Sequence, residues 1–229
     1  AACRPFRFSS QAIALMSART EIEGFTGAAG RIDCALDWPE GAPTGWALIL
    51  HPNPAQGGTR DNKVVTTIAR ACVQHGLLAI RPNFRGIGDS GGDFDHGKGE
   101  LLDMAALVEQ FRVRYPEIAS LPWVLGGFSF GTSIAVQLYA KWDRLQKNLP
   151  NIVVLTGSAA MRFRHSEVKA PEDALVIHGE VDEVVPLSEV MDWARPLGMP
   201  IVVIPEAGHF FHGKLLILRQ LVQTRLHAL

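Results

Sequence analysis

The sequence predicts an α/β fold: a mostly parallel, eight-stranded sheet with helices on both faces and no cap domain. Three observations point there. Short apolar runs alternate with segments whose apolar residues recur at helical spacing, the order that a parallel sheet with crossover helices requires. Gly and Pro punctuate the ends of those runs. The chain has 229 residues, 47% hydrophobic and 20% charged, enough to bury one large core and too apolar for disorder.

The elements follow in order. Strand-like runs lie near residues 21–25, 31–36, 46–50, 77–80, 123–128, 152–155, 174–177 and 201–204. The first two are close in sequence, with a turn between Gly27 and Gly30, so they form an antiparallel hairpin. Strand and helix then alternate. Val64, Val65, Ile68 and Cys72 make one apolar helical face after Asp61, and Leu101, Met104, Ala105, Val108 and Phe111 make another after Glu100. Phe130, Ile134, Leu138, Trp142 and Leu145 repeat at the same spacing, and residues 188–194 and 214–226 are further helix candidates. Residues 156–171, between the sixth and seventh strands, have room for one short helix and a loop. A site at the strand ends is thereby left open.

Charge and cysteine content narrow the function classes. A net charge of −1 with both signs scattered gives no footprint for nucleic acid or an anionic membrane, and points to a small-molecule or peptide-like substrate. No apolar run approaches the length of a membrane span. Cys3, Cys34 and Cys72 are odd in number and widely spaced, and they do not cluster with histidine. They read as free thiols in a reducing, cytoplasmic compartment, with no metal site. Residues 1–15 read as an N-terminal extension, disordered or not native, because Met16-Ser17-Ala18-Arg19 has the look of a native start; the domain then spans residues 16–229.

The segment Gly126-Gly127-Phe128-Ser129-Phe130-Gly131 carries the chemistry. It places a serine between two glycines, G-x-S-x-G, where an apolar strand meets a helical pattern. A tight strand-to-helix turn strains the serine backbone and exposes its hydroxyl, and Gly127 and Gly131 are the small neighbours that such a turn needs. Taken alone, the motif also fits a Gly-rich turn with a capping serine. An acid and a histidine follow in the chain order Ser, acid, His. After the seventh strand, His178-Gly179-Glu180-Val181-Asp182-Glu183 offers three carboxylates. Asp182 is the candidate, and Glu180 and Glu183 read as solvated loop charges. After the last strand His209 follows Gly208. An imidazole takes a serine proton near neutral pH and returns it to a leaving group. His212 reads as a helix-start or surface residue.

An oxyanion needs two N–H donors. One is Phe130, the residue after the serine, at the positive end of a helix. The other is Asn53 in His51-Pro52-Asn53-Pro54, because the prolines on either side have no N–H; the alternative is a merely Pro-rich strand exit. Arg85 to Gly92 is glycine-rich, but no apolar helix opens there, so a nucleotide cofactor is not expected. Asp95, His96 and Glu100 read as a loop with hydrogen-bonding and capping roles rather than metal ligands. Phe128, Phe130, Phe210, Phe211 and Met161 either shape a pocket or pack the core.

With these residues in place, the chain resembles the α/β-hydrolases from about Glu21 onward. More narrowly, it is similar to small, lid-less bacterial hydrolases. The motifs that carry the resemblance are His51-Pro52-Asn53-Pro54, the run Gly57 to Lys63, the run Arg81 to Ser90, the G-x-S-x-G elbow, and Gly208-His209-Phe210-Phe211. The resemblance implies the α/β-hydrolase fold and a Ser-His-Asp serine esterase with no cofactor. Relatives of this architecture that act as dehalogenases or epoxide hydrolases have aspartate at the elbow, and dienelactone hydrolases have cysteine, so Ser129 argues against those activities. The expectation is an esterase for small or medium acyl groups. Thioester or amide hydrolysis is the alternative within enzymes, and a non-catalytic binding protein on the same scaffold is the alternative outside them. Exposed apolar residues around an uncapped site would support a homodimer.

Overall fold

A computed structural model of the chain describes residues 19–229. The expected extension, Met16 and Cys3 lie outside the described residues. The strands are β1 (Arg19–Gly27), β2 (Gly30–Trp38), β3 (Gly45–Leu50), β4 (Leu77–Pro82), β5 (Trp123–Phe128), β6 (Ile152–Thr156), β7 (Leu175–Gly179) and β8 (Ile201–Ile204). The helices are α1 (Lys63–Gln74), α2 (Lys98–Arg114), α3 (Pro116–Ala119), α4 (Phe130–Arg144), α5 (Leu187–Ala194) and α6 (Leu215–Leu226). Short 3-10 turns occupy Pro54–Gln56 and Arg195–Leu197. All eight expected strands are present, and each differs from its apolar run by a few residues at most; β4 continues through Arg81 and Pro82, and β7 through His178 and Gly179, because ladder pairing does not depend on an apolar side chain.

One sheet contains all eight strands, in the order β1-β2-β4-β3-β5-β6-β7-β8. β1 pairs antiparallel with β2, and β2 antiparallel with β4; every other pairing is parallel. β3 to β6 are buried along their whole length, as strands covered on both faces must be. Two apolar clusters flank the sheet. One joins Leu48, Leu125 and Leu155 to α2, α4 and α5; it contains Trp46 stacked on Trp123 with ring centroids 4.4 Å apart. The other joins Ile49, Val124 and Val154 to Val65, Ile68 and Cys72 of α1 and Leu218 and Val222 of α6. Alternate residues of one strand therefore feed opposite clusters, the period-two signature that fixes register.

Two expectations need correction. Residues between Gly157 and Ala174 form turns and irregular chain, with no helix. The apolar residues Ala159, Ala160, Phe163 and Val168 pack on the core without helical spacing, and polar bonds hold the chain between them: His165 and Ser166 N–H groups both donate to Gln137 Oε1, and Ser133 Oγ donates to the Arg162 carbonyl. Leu145 caps α4 and is exposed rather than extending its apolar face.

Register brings the carboxyl ends of the central strands together. Leu50 of β3 pairs with Gly127 of β5, Phe128 with Thr156 of β6, Thr156 with Ile177 of β7, and Gly179 with Ile204 of β8. The loops that carry Asn53, Ser129, Asp182 and His209 thus leave the same edge of the sheet, where sheets of this class build their sites.

Candidate active site

Ser129 occupies the turn between β5 and α4 with φ 53° and ψ −119°, a conformation that side-chain-bearing residues rarely adopt. Its surroundings fix it there. The Ser129 N–H donates to the Thr156 carbonyl at 3.0 Å, and the Ser129 carbonyl accepts from both the N–H and the hydroxyl of Thr132, at 2.9 and 2.6 Å. The glycines on either side are required by space. A methyl group on Gly127 would sit 2.6 Å from the Gly131 carbonyl, and one on Gly131 would meet the Leu50 carbonyl oxygen and lie 2.7 Å from its carbon. Helix α4 therefore starts directly against the exit of β3.

Asp182 follows β7 with its side chain turned inward and buried, between the exposed Val181 and Glu183. Its Oδ1 accepts from the N–H groups of Val184 and Val185 at 2.9 and 2.8 Å, and its Oδ2 lies 2.7 Å from His209 Nδ1. Burial alone would raise the carboxyl pKa. The bonds from His209, Val185 and Val184 outweigh it and hold the group below its ordinary value, so it is ionised at neutral pH. A carboxylate on Nδ1 leaves Nε2 bare to accept, and Nε2 lies 2.9 Å from Ser129 Oγ. The three residues predicted from sequence are brought into one hydrogen-bonded chain, with His209 and Asp182 almost wholly buried.

The His209 ring is packed as well as bonded. Phe128 lies against it with centroids 4.9 Å apart and planes 35° apart, and Phe210 meets it edge-on at 5.2 Å. Gly157, at φ 53°, approaches so closely that a methyl group there would lie 3.0 Å from the Phe128 ring and 3.3 Å from His209 Cε1. Phe128, Phe130 and Phe211 are core residues, whereas Phe210 and Met161 are partly exposed.

Asn53 precedes the 3-10 turn, and its side chain accepts from the Ala55 N–H at 3.0 Å while its carbonyl accepts from Gln56 and Gly58. Among the turn, loop and cap hydrogen bonds of the described residues, the N–H groups of Asn53 and Phe130 have no protein acceptor. The loop is held from beneath by His51. Its Nδ1–H donates to the Pro52 carbonyl at 2.7 Å, and its Nε2 accepts from the Phe84 N–H at 2.9 Å. Full burial pushes the His51 pKa down to about 3, so the ring is a neutral strut.

Several residues prove more connected than the sequence suggested. Glu180 and Glu183 are not merely solvated: Glu180 Oε2 accepts from the Glu206 N–H at 2.9 Å, and Glu183 Oε2 from the His209 N–H at 3.4 Å. Both tie the acid loop to the histidine loop. The runs Gly57 to Lys63 and Arg81 to Ser90 form a polar lattice behind the site. Arg60 pairs with Asp33 at 2.6 Å, Arg81 Nε donates to Asp37 at 2.6 Å, and Ser90 Oγ donates to the Asn83 carbonyl while accepting from the Asp33 N–H. Glu100 caps α2 by accepting from the Asp95 and Gly97 N–H groups, both at 2.8 Å. His212 is exposed in the turn before α6. Among the described residues, no group of His, Cys, Asp and Glu is arranged to hold a metal ion, and no helix is long and apolar enough to cross a membrane.

No family model matches the chain. It is 30% identical over 197 residues to RP471 of Rickettsia prowazekii, an uncharacterized protein, covering 83% of this chain and 82% of that one. Among solved structures it is similar to XC6422 of Xanthomonas campestris, described as an α/β serine hydrolase without lid. That match has 34% identity and a TM-score of 0.81 over 93% of this chain and 96% of the other. An α/β serine hydrolase homologue from Coxiella burnetii matches with 31% identity and a TM-score of 0.76, over 90% and 97% of the two chains. With the sheet order and these likenesses together, the chain belongs to the lid-less α/β serine hydrolases.

Proposed function

We propose that this hydrolase cleaves carboxylic esters of small or medium acyl groups through a covalent acyl-enzyme. The observation that carries the reading is the continuous hydrogen-bonded chain from Ser129 Oγ through His209 to Asp182, at 2.9 and 2.7 Å. Ser129 attacks the ester carbonyl while His209 Nε2 takes its proton. The same imidazolium then protonates the leaving alcohol, and a water molecule repeats the sequence to release the acid. Asp182 fixes the ring in the tautomer with Nδ1 protonated and stabilises the imidazolium. The free N–H groups of Phe130, at the positive end of α4, and Asn53, in a loop stiffened by two prolines, hold the oxyanion. A loop that does not reorganise during reaction stabilises that charge at little cost.

The ester reading is tested with p-nitrophenyl esters from acetate to palmitate, wild type beside Ser129→Ala. Hydrolysis that disappears in the variant and peaks at short or medium chains supports it. Equal rates in both proteins would sink it, and failure of a fluorophosphonate to label Ser129 would favour a non-catalytic binding role. Faster turnover of matched thioesters or anilides would move the assignment to those acyl substrates.

A further inference from the structure

Behind Asp182 lies a second histidine that the proposed reaction does not use. His178 is the penultimate residue of β7 and is fully buried. Its Nδ1 accepts the Ser158 N–H at 3.2 Å, from the loop after β6. An imidazole nitrogen that accepts carries no proton, so the proton sits on Nε2. That Nε2–H donates to the Val185 carbonyl at 2.8 Å and lies 3.3 Å from Asp182 Oδ2, the oxygen that faces His209. Val185 in turn donates its own N–H to Asp182 Oδ1 at 2.8 Å. His178 thus clasps the turn Asp182–Val185, its N–H directed at the Val185 carbonyl and the partial positive charge of that N–H held close to the working oxygen of the carboxylate.

We infer that His178 is a positioning residue, acting through Asp182 to set how strongly the carboxylate binds His209. The consequence for turnover rests on the hydrolase reading; the coupling itself does not. The other charged or titratable groups facing this corner are His209 from the loop after β8, Glu183 from the turn itself, whose carboxylate accepts from the His209 N–H, Arg162 from the loop after β6, and Glu189 of α5, which pairs with Arg162 at 2.7 Å. Arg162 also donates to the Val184 carbonyl at 3.0 Å, so it braces the turn from outside while His178 braces it from within. Burial depresses the His178 pKa and keeps the ring a neutral donor. A neutral N–H that donates to the Val185 carbonyl while its nitrogen lies 3.3 Å from Oδ2 acts on the carboxylate charge through space without neutralising it. Removing the N–H leaves that charge for the His209 Nδ1–H.

The test pairs two side chains of similar length, His178→Gln, which keeps an N–H, and His178→Met, which does not. The first readout is nitrogen-correlated proton NMR of wild type, which is independent of turnover: His178 carries its proton on Nε2, and a proton on Nδ1 instead would overturn the inference outright. The second is the low-field proton of the His209 Nδ1–H. It moves further downfield in His178→Met and returns toward the wild-type position in His178→Gln. The third is turnover of p-nitrophenyl butyrate: with the His178–Val185 bond gone the turn that carries Asp182 loses its inner brace, and the carboxylate's misplacement outweighs its extra charge, so kcat falls roughly tenfold in His178→Met with KM changed less than threefold, and the glutamine variant recovers most of it. Equal loss in both variants with an unmoved His209 proton would make His178 mere packing and overturn the proposal. A wild type that hydrolyses no ester yet shows the proton shift would refute the ester reading and leave the coupling standing.

Discussion

Gly131→Ala is the substitution that most directly tests how the site is assembled. Alanine is the better helix former, and in an unconstrained helix the change would add about 1 kcal/mol of stability. At this position the added methyl meets the Leu50 carbonyl oxygen and would lie 2.7 Å from the Leu50 carbon and 2.8 Å from the His51 oxygen. All three are backbone atoms and cannot turn aside. Opening the 2.7 Å contact to the 3.4 Å of ordinary van der Waals contact separates the start of α4 from the exit of β3 by about 0.7 Å, and the nearer oxygen demands more. Those two segments carry Phe130 and Asn53, so a shift approaching 1 Å separates the two proposed oxyanion donors. Misplacement on that scale costs about a hundredfold in rate. Overpacking against backbone costs about 1–3 kcal/mol, which outweighs the gain in helix propensity. The assay is kcat/KM for p-nitrophenyl butyrate, normalised to the fraction of Ser129 that a fluorophosphonate labels so that unfolded protein is not counted, together with the urea midpoint. A variant within threefold of wild-type kcat/KM and no less stable would refute the claim that this glycine sets the donor spacing.

Other perturbations separate stability from chemistry. Asp182→Asn keeps the shape but loses the charge that holds His209 in its working tautomer, and kcat should fall by about four orders of magnitude, the loss such a change causes in serine proteases, with KM little changed in steady-state assays. Gly157→Ala should cost about 1–2 kcal/mol for a methyl at positive φ, and at least roughly tenfold in kcat because the methyl presses on Phe128 and His209; urea titration and steady-state rates check the two effects. His51, held at about 3 against an ordinary imidazole value of 6.5, makes stability pH-dependent. Below about pH 6.5 the unfolded chain takes up a proton that the folded chain refuses, so stability falls by up to about 1.4 kcal/mol per pH unit down to about pH 3. Urea midpoints between pH 7 and pH 4.5 should show a loss of about 3 kcal/mol from this group, and His51→Gln should flatten that part of the curve. The depressed Asp182 carboxyl adds a loss at lower pH, as it protonates on passing its folded-state value.

What could be read from the chain divides along the range of the interaction that decides it. Strands and amphipathic helices announce themselves through neighbours two to four residues apart, and Val64, Val65, Ile68 and Cys72 indeed face one core while Leu101, Met104 and Val108 face the other. Ser129, Asp182 and His209 are 27 to 80 residues apart, yet they were legible because each sits just past the carboxyl end of a strand and parallel registry delivers all those ends to one edge. The segment between Gly157 and Ala174 was misread because its conformation is set by distant acceptors such as Gln137, which leave no periodic trace. Glu180 and Glu183 failed for the same reason: their partners are the N–H groups of Glu206 and His209, 26 residues away. An exposed glutamate in a loop has the same local sequence whether it meets water or a backbone N–H. The residues hidden from sequence are therefore those that lace one strand-end loop to the next. In an uncapped enzyme that lacing has a specific burden, because no covering domain presses the loops into place. His51, His178, Glu180 and Glu183 each bond one strand-end loop to another, so substitutions there should loosen the site in proportion to how many loops each one joins.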